Sequence, residues 1–558
     1  MIDMNLQNGL QLHRDEGGDV KKWKPVYTLE PIERRKFCEF LKSVKFPDGY
    51  AANISRNVKD GKMSGLKSHD CHVLIQRLLP IGIRPYLPEV VCAPLVELSS
   101  FFEQICAKTL KVADLDRLET DIVFILCKLE RIFPPAFFDV MVHLAVHLPR
   151  EAKLAGPVGY RWMYPIERML GRLKGYVRNR ARPEGSLSEG YIAHESLTFC
   201  SEYLRAGETN SSHFERNNDG GENDAQFSVF AQIARPFGGY KMVQWSDKDM
   251  EPAFWYILDN CNEIELFKNE HRQILEAESA DNLEQRHREK FPKWFKNRVQ
   301  ELTIEGSSRV NKELCALSYG PDKRVSSYTG CIVNGVRWHT KQIDENRTTQ
   351  NSGVKVPGMH GDQESDFYGR LVSVDKIGFT YGYHVLIFKC EWFNTQPMMR
   401  KRKKIPRIVR DYHLTSINIT SLWYKDNPYV LAKQAQQIFY LDDPKLGSNW
   451  KVIQKIQHRH VWDVPENEVA HEAETMYEGG IHDARDIVLT SRDENVAITS
   501  LRREDAEPEV VVGDINLEPI AHNDDEDEDF IDDDPLEEEY FSGYEEESVH
   551  SDDYSDLD

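Results

Sequence analysis

The sequence predicts an α+β protein with a helical N-terminal half, a small antiparallel sheet or barrel, and a disordered acidic C-terminal tail. Three observations carry that expectation. Apolar residues recur at helical spacing from Ser68 to Leu148. Past Gly330 the spacing changes to two, the period of a strand. From Asp524 to Asp558 there are 19 acids and no Lys or Arg, so that stretch has little to bury.

Residues 1–65 form a polar N-terminal segment, loose up to about residue 25, with a short helix from Pro31 to Leu41. Phe37, Phe40 and Leu41 make the apolar side of that helix, and 53–65 is a loop. Residues 66–205 form a helical domain. Asp114 is placed to cap a helix carrying Leu115, Leu118, Ile122, Ile125, Leu126 and Leu129 on one face, ended by Pro134–Pro135. A further apolar run holds Phe137, Phe138, Met141, Leu144 and Leu148. Pro165 fits the first turn of the next helix, which runs to about Asn179 and is stopped by Pro183 and Gly185. Residues 206–330 form a linker, polar from Glu208 to Asn223, and a helical connector over 251–304 anchored by Trp255, Trp294 and Phe295. Residues 331–465 form the β-rich domain, where Leu386, Phe388, Cys390 and Trp392 share one strand face. Residues 466–558 form the tail.

The formal charge is −22, of which the tail carries 19 negatives, so about −3 remains on the other 523 residues. The body is near neutral, and its local basic patches can meet phosphate. No run of 18 apolar residues exists, which argues against a membrane-spanning helix. The ten cysteines include no C-x-x-C pair, so reduced thiols and an intracellular location are expected.

The chemistry concentrates between Arg161 and Arg182. Arg168, Arg172, Lys174, Arg178 and Arg180 lie there with a single acid, Glu167. On a continuous helix Glu167, Gly171, Lys174 and Arg178 share a face. One carboxylate among cations reads either as a surface ion pair or as a metal ligand beside phosphate-binding side chains. A second run, Arg400, Lys401, Arg402, Lys403 and Lys404, lies between strands. It reads as a phosphate contact, a nuclear import signal or a solvated hairpin tip. The acidic tail is a candidate partner that masks such basic surfaces. His69, Asp70 and His72 read first as a helix N-terminus. His143 and His147, four apart, lack a third metal ligand nearby and read as core or boundary residues, so no metal site is assigned. Tyr368, Trp392, Phe393, Trp423, Tyr424, Tyr429 and Tyr440 suit a core.

The segments GLKSHDCHVLIQRLLP (65–80), FPPAFFDVMVHLAVHL (133–148), GPVGYRWMYPIERMLGRLKGYVRNRARPEG (156–185) and YIAHESLTFCSEYL (191–204) resemble, in order, the C-terminal part of plant CACTA (En/Spm-type) transposases. TQNSGVKVPG (349–358), FYGRL (367–371), VLIFKCEWF (385–393) and NPYVLAKQAQQIFYLDDP (427–444) are similar to that family's second module. The resemblance covers residues 23–465. It implies two transposase-associated domains of unknown function and an incomplete ribonuclease-H-like core with a helical insertion. It further implies an Asp, Asp, Glu triad whose aspartates fall upstream of this sequence, with Glu167 as the candidate third acid and Glu184 and Glu189 as competitors. Mg²⁺ or Mn²⁺ is implied for a complete transposase only, and no cofactor for this chain alone. The expected partners are transposon-end DNA, other transposase subunits or chromatin proteins, with no membrane. The expected site of action is nuclear, or cytoplasmic if the basic run is not an import signal. The competing reading is a non-catalytic DNA- or chromatin-interaction protein.

Overall fold

The computed structural model describes residues 13–14, 20–22, 24–59, 61–203, 225–279, 281–360, 363–400, 403–456 and 509–510. These fall into two units. In the smaller, residues 13–21 with 510–558, His13–Arg14 pairs antiparallel with Val20–Lys22. The predicted disordered tail lies outside the described residues, apart from Glu509–Val510, which is a short strand.

The larger unit holds the rest. Helix α1, Pro31–Ser43, buries Cys38, Phe40 and Leu41, close to the predicted face. Helix α2, Ser68–Val73, and α3, Glu89–Ile105, follow. Helix α4, Val112–Glu130, buries Leu115, Leu118, Ile122, Ile125 and Leu129 as the spacing requires. Its cap is Lys111, not Asp114, which sits in the first turn instead. Facing α4 are Phe101 and Ile105 of α3, and Leu148 and Ala152 of α5, Leu148–Ala155. Helices α6, Tyr164–Gly175, and α7, Pro183–Tyr203, complete the helical half. Between Ser68 and Tyr203 the described residues include no strand, so the sheet of a ribonuclease-H-like core is not found there.

Helices α8, Asp247–Asp259, α9, Glu265–Glu278, α10, Leu283–Ile304, and α11, Lys312–Tyr319, precede or interleave with the sheet. The sheet has 12 strands, and every ladder in it is antiparallel. In chain order its strands begin with β1 (Ala234–Gln244), β2 (Arg324–Val333), β3 (Val336–His339), β4 (Gly353–His360), β5 (Gln363–Gly378) and β6 (His384–Phe393). A separate hairpin of β7 (Met398–Arg400) and β8 (Lys403–Ile405) follows. The sheet resumes with β9 (Ile408–Asp411), β10 (Leu414–Asn418), β11 (Leu422–Trp423), β12 (Tyr429–Leu431), β13 (Gln436–Asp442) and β14 (Trp450–Lys455). The spatial order is β9-β10-β14-β13-β4-β5-β6-β11. In addition β12 pairs β6, and β2 joins β5 to β1 and β3.

Both faces of the sheet are covered, which the alternation rule does not anticipate. Leu386, Phe388, Cys390 and Trp392 of β6 share a core with Trp338, Leu371 and Val374, as predicted. Their neighbours Val385 and Ile387 are also fully buried, against Ile257, Phe291, Phe295 and Leu317 of the helices. A continuous apolar run is the mark of a strand buried on two sides. Residues 251–304, expected as a connector, are therefore the lid of the sheet. Strand formation also starts earlier than Gly330. Ala234–Gln244 pairs with β2 across a register shift between Phe237 and Tyr240, where Gly238 takes a positive φ of 80°. Those glycines read as linker in the sequence but make a bulge here.

The largest departure is the N-terminal segment. Val44, Phe46, Ile54 and Val58 pack with α1 against Leu414, Phe439, Leu441 and Val452 of the sheet. Polar ties fix this docking. Arg84, with 1% of its side chain exposed, donates to Asp411 at 2.8 Å and to fully buried Asp443 at 3.2 Å. Ser416 donates to the same Asp443 oxygen at 2.5 Å. The segment TQNSG is a second knot. Asp344 accepts from the backbone N–H of Asn351 (2.9 Å) and Ser352 (2.8 Å), and Gln350 donates to Lys45 O and Tyr440 O at 2.5 and 2.9 Å. A Cβ at Gly353 would collide with the Ile438 carbonyl, so only glycine permits β4 to lie against β13 there.

Candidate nucleic-acid interface

The block at 156–185 folds as a turn, a helix and a sharp corner. Val158–Tyr160 is a 3₁₀ turn, and Pro165 occupies the first turn of α6, where its missing N–H costs nothing. The helix stops at Gly175, not near Asn179. Ser186 explains the corner: its Oγ accepts from the N–H groups of Arg178 (2.8 Å) and Asn179 (3.3 Å) and donates to the Tyr176 carbonyl (3.1 Å). Pro183, expected as a stop, begins α7, for the same reason that Pro165 fits α6. A Cβ at Gly190 would lie 2.8 Å from Tyr176 Cβ, so glycine lets α7 pass the corner.

The base of this hairpin rests on α2. Trp162 lies 6.0 Å from His72 and Tyr164 lies 6.3 Å from His69, ring centre to ring centre. Burial holds the His72 pKa below its usual value. Asp70 accepts from the Lys67 N–H at 3.1 Å, so the His-Asp-His cluster is a helix start. Two sequence segments 90 residues apart thus meet, which neither segment shows alone.

Arg161, Arg172, Lys174, Arg178, Arg180 and Arg182 are all exposed; the Arg168 side chain lies outside the described part of the structure. Because α6 ends at Gly175, Arg178 and Arg180 stand on the corner and not on the helical face of Glu167. Glu167 is exposed in the first turn of α6, where the helix dipole favours a carboxylate. Glu184 and Glu189 are exposed on α7. Among the described residues no group of three or more His, Cys, Asp or Glu could hold a metal ion. A single exposed carboxylate does not fit the paired-ion chemistry of phosphodiester cleavage, and no metal-dependent step is assigned to Glu167 in this chain. His143 and His147 are exposed and 5.1 Å apart, edge to face.

The second cationic run lies at the β7–β8 hairpin, where Arg400 pairs with Lys403 and Met399 with Lys404. Lys401 and Arg402, and the side chains of Arg400, Lys403 and Lys404, lie outside the described residues. The aromatic set is mostly core. Tyr368, Trp392, Phe393, Tyr429 and Tyr440 are buried, and Trp423 and Tyr424 are half-buried beside Phe367.

Residues 105–218 match the family described as Domain of unknown function (DUF4218), and residues 377–453 match Domain of unknown function (DUF4216). Both are typical of plant transposase-like proteins. No curated protein and no solved structure matches the chain. The first match takes in α4 to α7 and the basic corner. The second begins at the end of β5 and omits β1 to β4 and nearly all of β5, so the matched region does not form the sheet unaided.

Proposed function

We propose that this chain is a transposon-derived, nucleic-acid-binding protein, related to the C-terminal part of a CACTA (En/Spm-type) transposase, which holds DNA without cutting it. The observation that carries this reading is the α6 corner: six exposed cations between Arg161 and Arg182 on an element that buries none of its described residues. Cations placed on a rigid, exposed turn neutralise phosphates and release counterions, giving sequence-independent affinity. Transposon ends are the proposed DNA, and the run from Arg400 to Lys404 the proposed nuclear import signal. The Asp, Asp, Glu chemistry and its Mg²⁺ or Mn²⁺ belong, in this proposal, to a complete transposase, with Glu167 its candidate third acid.

Duplex binding by R172Q/R178Q/R180Q is the test. We expect at least a tenfold loss of affinity at low salt with unchanged thermal unfolding; equal affinity would overturn the reading. We also expect the full chain not to nick DNA with Mg²⁺ or Mn²⁺. Metal-dependent nicking abolished by Glu167→Ala would contradict that.

A further inference from the structure

A cleft of about 350 Å³ lies between α1 and a turn at Gly61, lined by Arg34, Arg35, Cys38, Glu39 and Lys42 on the helix side. At 100° per residue Arg35, Cys38, Glu39 and Lys42 share one side of α1, with Arg34 at its edge. On the other wall Val58–Lys59 pairs with Lys62–Met63, and Gly61 takes a φ of 70° to close that hairpin. One core holds both walls: Cys38, Phe40 and Leu41 of α1 pack with Ile54 and Val58. The cleft falls at the lower end of the size range of small-ligand sites, about 300–1,000 Å³. It lies outside both family matches, at 105–218 and 377–453.

Its charge lacks a counterpart within the described residues. Pro31 to Met63 carry eight cations and four acids, and Asp60, one of those acids, lies outside the described residues. Arg34, Arg35 and Lys42 are exposed, and among the described residues none makes a side-chain hydrogen bond or ion pair. Cations of the neighbouring helices are matched: Arg117 sits by Asp114, and Lys153 lies 2.6 Å from Asp116. Lys59 and Lys62 are exposed and directly opposite each other in the hairpin ladder. Like charges so placed destabilise a ladder, and an anion beside the turn relieves the repulsion. Three cations less one carboxylate leave the described lining at +2. A phosphate monoester carries about −1.5 to −2 at neutral pH, the complementary charge. Two adjacent guanidinium forks suit its oxygens. We infer that this cleft binds the phosphate of a phosphate monoester of nucleotide size, through Arg34, Arg35 and Lys42, with Lys59 and Lys62 beside the turn. It shares no residue with the α6 corner and does not depend on it.

Calorimetric titration of the full chain with adenosine monophosphate at low salt tests this. We expect saturable binding of one nucleotide per chain, and none of adenosine, which lacks the phosphate. R34Q/R35Q/K42Q should weaken binding by about tenfold or more. Glu39→Gln should strengthen it by roughly threefold, because it removes a nearby negative charge, and a folding defect cannot produce that gain. R172Q/R178Q/R180Q should bind the nucleotide as wild type does, so failure of the cleft and failure of the α6 corner are read separately. Absence of saturable binding, or equal affinity in R34Q/R35Q/K42Q, overturns the inference. Duplex DNA as competitor identifies the source of the phosphate. Displacement by a 5′-phosphorylated duplex alone assigns the cleft to a strand end, and displacement by no duplex assigns it to a free phosphate ester. Equal displacement by 5′-phosphorylated and 5′-hydroxyl duplexes places backbone diesters there and overturns the monoester assignment.

Discussion

The sheet and the α6–α7 hairpin use apolar residues in opposite ways. In β6 every residue from Val385 to Phe388 is buried, with helices on one face and strands on the other. In α6 and α7 no described residue is buried, although Ile166, Met169, Leu170, Ile192, Leu197 and Phe199 are as apolar as those of β6. The difference teaches that composition alone does not set burial: the sheet's apolar surface is closed within the chain, and the hairpin's faces outward. One region supplies stability and the other presents a surface.

Truncations should separate the two most sharply. Phe295→Ala opens a cavity in the core between α10 and the sheet, where Phe295 is 0% exposed, and should cost about 3–5 kcal/mol in chemical denaturation. Leu170→Ala, on the hairpin, should shift stability by no more than about 0.5 kcal/mol. Comparable losses at both sites would erase the distinction. Arg84→Ala is the polar counterpart. It leaves Asp443 buried without its cation, and about 3 kcal/mol should be lost, with the chain around Arg84 the first region to gain proteolytic sensitivity.

A smaller effect concerns pH. His271 of α9 and His287 of α10 are buried and share a 2.7 Å Nδ1–Nδ1 hydrogen bond between those two helices. Burial, then Arg272 and His271, push the His287 pKa down to about 4, and burial with Arg347 and Arg337 does the same to His339. Both pKa values are depressed in the folded state, so the unfolded chain binds these protons first. Stability is complete above pH 6.5 and declines as pH falls toward 4, by about 2 kcal/mol per histidine at pH 5. His287→Phe should flatten that decline in urea titrations at pH 7.5 and 5.0; an unchanged slope would show that this pair does not set it.

Local pattern made much of this molecule legible. The buried face of α4 follows from spacing, as does the Leu386–Trp392 face of β6, and the unbroken run from Val385 to Phe388 could have signalled a strand covered on both sides. What stayed hidden depends on distant partners. Nothing near Phe46 or Arg84 announces that they meet Phe439 and Asp443, more than 350 residues away. Strand β1 was masked by Pro236 and Gly238–Gly239, which a bulge against β2 accommodates. At the interface, the cations were readable as charge density. Their division between α6 and a corner was not, because Ser186, the residue that ends the helix, acts from the start of the following one.

The salt dependence of duplex DNA binding tests the central claim most directly. The logarithm of affinity falls with the logarithm of salt by about 0.9 per phosphate neutralised. If the corner is the interface, R172Q/R178Q/R180Q should reduce that slope by about 2.7, three contacts' worth, while Leu170→Ala leaves it unchanged. A slope identical to wild type in the triple variant would show that DNA is held elsewhere and would contradict the account.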